Sequence, residues 1–127
     1  MDSYINKLYK KHNCIGVEDA GAYRSEEFNA LAKSMRTAFR NSAKARGFEL
    51  ESFNIGHYYV SGFFKKEDKF VYFSWDCPRG GYAIDFNKYD PCSGFLYRTA
   101  SGPRDYHGGT NHFCGLPEFM DAVEKLF

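Results

Sequence analysis

Residues 48–75 read FELESFNIGHYYVSGFFKKEDKFVYFSW, and this stretch decides the fold. Three runs within it, Phe48 to Asn54, His57 to Phe64 and Phe70 to Trp75, are dense in Phe, Tyr and Val, the side chains that suit a pleated, half-buried surface. Asn54-Ile55-Gly56 and Lys65-Lys66-Glu67-Asp68 separate them with turn chemistry, the second as a charged hairpin turn. Downstream, Tyr82 to Phe86 and Phe95 to Ala100 add two more strands across the turn-rich residues Asn87 to Gly94. The pattern predicts an antiparallel meander of four or five strands.

Composition supports a sheet. Thirteen Phe, ten Tyr and one Trp outnumber the fourteen Val, Ile and Leu, so aromatic rings must supply most of the core area. At 127 residues the chain is expected to form a single domain over 1–127, burying roughly two-thirds of its unfolded surface. A formal charge of +1 excludes both a globally basic nucleic-acid binder and an acidic DNA mimic, so any electrostatic partner must be read locally. Met1 to Lys7 holds no apolar run able to act as a signal peptide, and no stretch is apolar enough to span a bilayer. A cytoplasmic protein with no membrane partner is the expectation.

Upstream of the strands, Ile5, Leu8 and Tyr9 predict a short first helix over residues 3–12, and Cys14 to Arg24 reads as a loop. Ser25 as N-cap, Glu26 and Glu27 in the first turn and Gly47 as the stop frame one long amphipathic helix. Its apolar stripe, Phe28, Leu31, Ala32, Met35, Ala38 and Phe39, is expected to lie on the sheet. Lys33, Arg36, Arg40 and Lys44 form a second stripe, basic, about three turns long. Such a stripe is ordinarily a solvated face; the sharper reading is a docking strip for nucleic-acid phosphates or an acidic protein surface. Pro117, followed by Phe119, Val123, Leu126 and Phe127, predicts a short closing helix over a sheet edge or end. The fold class is therefore α+β.

Cys77, Cys92, His107, His112 and Cys114 all sit at or beside turns. A structural zinc ion held by Cys77, Cys92, Cys114 and His112, with His107 as the alternative fourth ligand, suits the tetrahedral preference of that metal. No C-x-x-C knuckle is present, so isolated, buried thiols are the competing reading. Cys14 belongs to the first loop. A Cys77 nucleophile with His107 or His57 as base would make a small zinc- or thiol-dependent hydrolase acting on a nucleotide or peptide. No oxyanion turn surrounds a cysteine and no P-loop is present, so a non-enzymatic protein is expected. Residues 98–112, rich in Arg, Gly and ring donors, read as a long structured loop of the kind found at protein interfaces.

Gly56-His57-Tyr58-Tyr59-Val60-Ser61-Gly62-Phe63-Phe64, Tyr72-Phe73-Ser74, Leu96-Tyr97-Arg98-Thr99-Ala100 and Asp105-Tyr106-His107-Gly108-Gly109-Thr110-Asn111 together resemble a family of small proteins carried by bacterial phages, plasmids and conjugative elements. The resemblance spans about half the chain, and Cys77 and Cys92 are not part of it. It implies a protein acting inside a bacterial host cell by disabling a host defence protein, as anti-CRISPR proteins do. The implied partner is the RNA-guided nuclease of a type II CRISPR system, with target-DNA binding or cleavage blocked.

Overall fold

A computed structural model describes residues 2–12, 26–56, 59–76 and 94–127. Their order is α1 (Ser3–His12), α2 (Glu26–Ala45), β1 (Glu49–Ile55), β2 (Tyr59–Lys66), β3 (Lys69–Asp76), β4 (Phe95–Ala100), β5 (His112–Cys114) and α3 (Leu116–Lys125). The class is α+β, and the five strands form one antiparallel sheet in chain order. Two differences from the sequence reading stand out. His112–Cys114 is a strand rather than the end of a loop, and β1 runs on through Ile55. The expected strand Tyr82 to Phe86, the loop from Cys14 to Arg24 and the Ser25 cap lie outside the described residues.

Strand alternation divides the sheet into two faces. Phe53, Gly62, Phe73, Tyr97 and His112 stand opposite one another across all five strands and form one row of the helix-covered face. Phe63, Tyr72 and Arg98 form a row on the other. The doublet Phe63-Phe64 therefore sends one ring to each side. β2 and β3 pair without slippage from Tyr59 opposite Asp76 to Lys66 opposite Lys69, closed by the two-residue turn at Glu67 and Asp68 with Glu67 at φ 56°. Between Leu50 and Ser52 the β1–β2 register shifts by a bulge.

Phe39 is fully buried at the centre of the helix-side core, with the rings of Phe53, Phe64, Phe73, Phe95 and Phe119 at centroid distances of 5.2 to 6.2 Å. Such pairs contribute about 0.5–1.5 kcal/mol each beyond the area they bury. Phe28, Leu31, Ala32, Met35 and Ala38 are buried on α2, as are Ile5 and Leu8 on α1. From α3, Leu116, Phe119, Met120 and Val123 are buried, and Phe119 reaches past the β4–β5 end to Phe64 and Phe73 near the sheet's middle.

The helix ends are closed by named bonds. Gly47, at φ 87°, ends α2 in a Schellman arrangement: its N–H donates to Lys44 O and the Phe48 N–H to Ala43 O. Asp2 caps α1 by accepting from the Ile5 N–H at 2.8 Å. The same carboxylate accepts from Ser42 Oγ and from Arg46, whose other guanidinium nitrogen reaches Asp121 at 2.7 Å and Glu124 at 2.8 Å. Arg46 thus joins the end of α2 to the start of α1 and the second half of α3. Burial alone would raise the Asp2 carboxyl, but the bonds from Ser42, Ile5 and Arg46 outweigh it and hold the group below its ordinary value. No described helix is long and apolar enough to cross a membrane.

Candidate functional site

Once the apolar positions of α2 are in the core, its remaining surface is set by the 3.6-residue period. Lys33, Arg40 and Lys44 are exposed there and Arg36 is half-buried, so the basic stripe lies on the outside of the helix. Ile5 and Leu8 pack α1 beside α2, which brings exposed Lys7 and Lys11 to the same side of the molecule. Lys11 Nζ reaches Ser34 Oγ at 3.5 Å across the helix pair. Between the helices runs a groove of about 320 Å³, walled by Lys7 and Lys11 on one side and Ser34, Thr37 and Asn41 on the other, with Tyr4 at its border.

Seven cations, Lys7, Lys10, Lys11, Lys33, Arg36, Arg40 and Lys44, therefore belong to the α1–α2 surface, and among the described residues none of them has a carboxylate partner. Of the described carboxylates, Asp2 at the start of α1 is held by Arg46, and Glu26 and Glu27 lie in the first turn of α2. The others are elsewhere: Glu49 and Glu51 on β1, Glu67 and Asp68 at the hairpin turn, Asp76 at the end of β3, Asp105 between β4 and β5, and Glu118, Asp121 and Glu124 on α3. The +1 formal charge conceals this local excess of positive charge. Like-charged neighbours four residues apart, Lys7 with Lys11, Arg36 with Arg40 and Arg40 with Lys44, each cost about 0.2–0.5 kcal/mol of helix stability. Helix formation alone does not account for the arrangement. Its physical effect is a positive potential over this side of the molecule, with Lys7 and Lys11 at the groove itself, which attracts polyanions and steers their approach.

The second candidate region is the connection from β4 to β5. Arg98 is only 7% exposed and lies on the sheet face away from the helices, its guanidinium 4.3 Å from the Tyr72 ring centroid. It donates to the Tyr106 carbonyl and to Asn111 Oδ1, and the Tyr106 ring packs on Phe63 and Tyr72 at 5.5 and 5.8 Å. The loop is thereby tied down over the sheet. Asp105 organises its tip, accepting from the N–H groups of Ser101, His107 and Gly108. Those bonds, from Ser101 and His107 first, hold the Asp105 carboxyl at about 2. A depressed carboxyl stabilises the loop above the ordinary aspartate value and loses that contribution as pH falls through the folded one. Near pH 3.9, where an ordinary aspartate is half protonated, Asp105 should therefore remain ionised and the His107 and Gly108 amides protected. Carboxyl ¹³C shifts followed against pH check this, and an Asp105 midpoint near 4 would contradict the bonded geometry.

The residues expected to bind zinc are divided. Cys77 and Cys92 lie outside the described residues, as does His57. His112 and Cys114 do point to one face, at two successive positions of the helix side of β5. They line a cavity of about 360 Å³ with Tyr97, Glu118, Asp121 and Lys125. His112 is stacked on Tyr97 at 5.2 Å. The Cys114 thiol is pushed up to about 11 by burial and by the Glu118 charge, so it is not a ready thiolate. His107 is exposed in the β4–β5 loop. Among the described residues no three His, Cys, Asp or Glu side chains converge as metal ligands would.

Set against known protein families, curated proteins and solved structures, the chain finds no match. Its own surface carries the functional reading. Of that surface, the stripe on α2 is visible in the spacing of Lys33, Arg36, Arg40 and Lys44, whereas no spacing in the sequence marks Tyr4, Lys7, Lys11, Ser34, Thr37 and Asn41 as one site. The available signal was Lys7 and Lys11, four apart on the polar side of α1; the side of α2 on which α1 lands is a matter of tertiary packing.

Proposed function

We propose that this protein is a non-enzymatic inhibitor that binds an RNA-guided nuclease of a type II CRISPR system and blocks the binding or cleavage of target DNA. The observation that carries this reading is the basic α1–α2 surface, seven cations with no carboxylate partner among the described residues. A surface of this sign complements the phosphates of a guide or target strand, or an acidic patch of the nuclease itself. The amphipathic character of α2 serves that role by holding one side in the core while presenting basic residues on the other. The mobile-element resemblance of the strands and of the β4–β5 loop points to the same class of partner.

In a cleavage assay, protection of target DNA should rise with inhibitor concentration and saturate near one inhibitor per nuclease. Arg36→Glu combined with Arg40→Glu should weaken protection by about tenfold or more and flatten its dependence on salt. Full protection at concentrations far below the nuclease would indicate turnover and favour a hydrolase. No protection at a large excess would remove the inhibitor reading altogether.

A further inference from the structure

We infer that the groove between α1 and α2 is a binding site for the backbone of a single-stranded nucleic acid, with one phosphate held between Lys7, Lys11 and Ser34 and the Tyr4 ring offered to a neighbouring base. The inference rests on the inhibitor reading for its biological setting and goes further in naming what the basic surface touches.

The donors fit that group. Lys7 and Lys11 supply ammonium groups from successive turns of α1, and Ser34 supplies a hydroxyl from α2. Lys11 Nζ and Ser34 Oγ stand 3.5 Å apart, at the limit of a hydrogen bond, so each is free to turn toward an anion. Thr37 is different, since its hydroxyl donates to the Lys33 carbonyl at 3.2 Å. Among the described residues no carboxylate lines the groove. Its volume of about 320 Å³ lies within the range of small-ligand sites, and Leu8 and Ala38 give it an apolar floor against which a sugar can pack. Tyr4 is an aromatic ring left 39% exposed beside these cations. Positive charge along a groove together with an aromatic ring at its border is the combination that holds single strands without sequence preference. Exposed Lys33, Arg40 and Lys44 lie outside the groove, on the neighbouring side of α2, and spread charge along that helix for about 16 Å, which suits a polymer better than a mononucleotide. A concave slot between two helices admits a flexible single strand; a duplex presents its phosphates on a convex surface and meets only the rims.

The test uses the purified full chain and short fluorescein-labelled oligo(dT) and oligo(U), with fluorescence anisotropy read between about 50 mM and 200 mM NaCl. Binding is expected, with log K falling against log salt at a slope of about −2 or steeper, since each phosphate contact on a single strand contributes about −0.7. Lys7→Glu with Lys11→Glu should weaken binding by at least about tenfold and make the slope shallower. Tyr4→Ala should weaken it by about fivefold or more while leaving the slope unchanged. Lys66→Glu with Lys69→Glu, at the far hairpin, should leave binding as it was. The assignment is overturned by an absence of binding at the lower salt, by equal affinity in the Lys7/Lys11 variant, or by equal loss in the Lys66/Lys69 variant. Tighter binding of a duplex overturns the single-strand assignment, and displacement by polyglutamate as effective as by unlabelled oligo(dT) overturns the nucleic-acid assignment. The two readings fail separately. Oligonucleotide binding lost in the Lys7/Lys11 variant, without any protection of target DNA by the unaltered protein, supports the groove and rejects the inhibitor. Protection of target DNA by a chain that binds no oligonucleotide rejects the groove and supports the inhibitor.

Discussion

Phe39→Asp should leave the chain without a cooperatively folded state. Phe39 is fully buried among five phenyl rings contributed by β1, β2, β3, β4 and α3, so the substitution touches every layer at once. Truncating a buried Phe costs about 3–5 kcal/mol through lost transfer energy and the cavity left behind. A carboxylate placed there has no partner within reach of those rings, and its desolvation adds several kcal/mol more, by ionisation or by forced protonation. Domains of this size are stable by about 5–15 kcal/mol in total. Phe39→Leu, which keeps most of the volume, should cost only about 1–2 kcal/mol. Urea unfolding monitored by Trp75 fluorescence separates the two outcomes. That ring stacks on Phe95 at 5.4 Å, and Phe95 touches Phe39, so the probe reads the affected core. An unchanged midpoint in Phe39→Asp would mean that α2 does not pack on the sheet as described.

Gly62→Ala should be nearly as damaging, although it adds a single methyl group. A Cβ at Gly62 would stand 2.0 Å from the Ser52 carbonyl oxygen, 2.9 Å from its carbon and 3.0 Å from the Phe73 ring. That carbonyl lies next to the register shift between Leu50 and Ser52. Because the obstacle is paired backbone and not the tip of a flexible side chain, relief requires breaking β1 away from β2. Overpacking costs about 1–3 kcal/mol where side chains can shift, and this site should lie at or above the top of that range. Gly102→Ala, where nothing stands within 4 Å of the new carbon, serves as the neutral comparison. Thermal melts of the two variants decide the matter: a Gly62→Ala Tm equal to that of Gly102→Ala would refute the close approach.

What was legible in the sequence follows from what each residue needed to know about distant ones. The aromatic runs around Val60 and Val71 announce strands because β-favouring side chains act locally, and Gly47 announces a helix end because its backbone angle does. β5 was missed for the converse reason. Three residues between Asn111 and Gly115 carry no period, and their strand character comes from pairing with Phe95, Leu96 and Tyr97. Phe63-Phe64 signals a strand buried on both faces, yet nothing near it says that Tyr106 covers one of those rings. Arg98 reads as a loop-flanking cation and is in fact buried, because Tyr72, Tyr106 and Asn111 converge on it from separate segments. The candidate site divides along the same line. Its α2 half is a helical repeat, whereas its α1 half exists only once two helices have docked.

The tie made by Arg46 also bears on how the chain reaches this structure during synthesis. Its hydrogen-bonding partners lie 44, 75 and 78 residues away in sequence, and the ring that completes the core over Phe39 belongs to Phe119. Loops of that length close late, after local helices and hairpins have formed. A ribosome adding about 5–20 residues per second needs roughly 4–15 s to travel from the end of α2 to Phe119. During that interval the nascent chain carries the apolar side of α2 and the β1–β3 aromatics without their final cover, so the core over Phe39 closes only after Phe119 has been added.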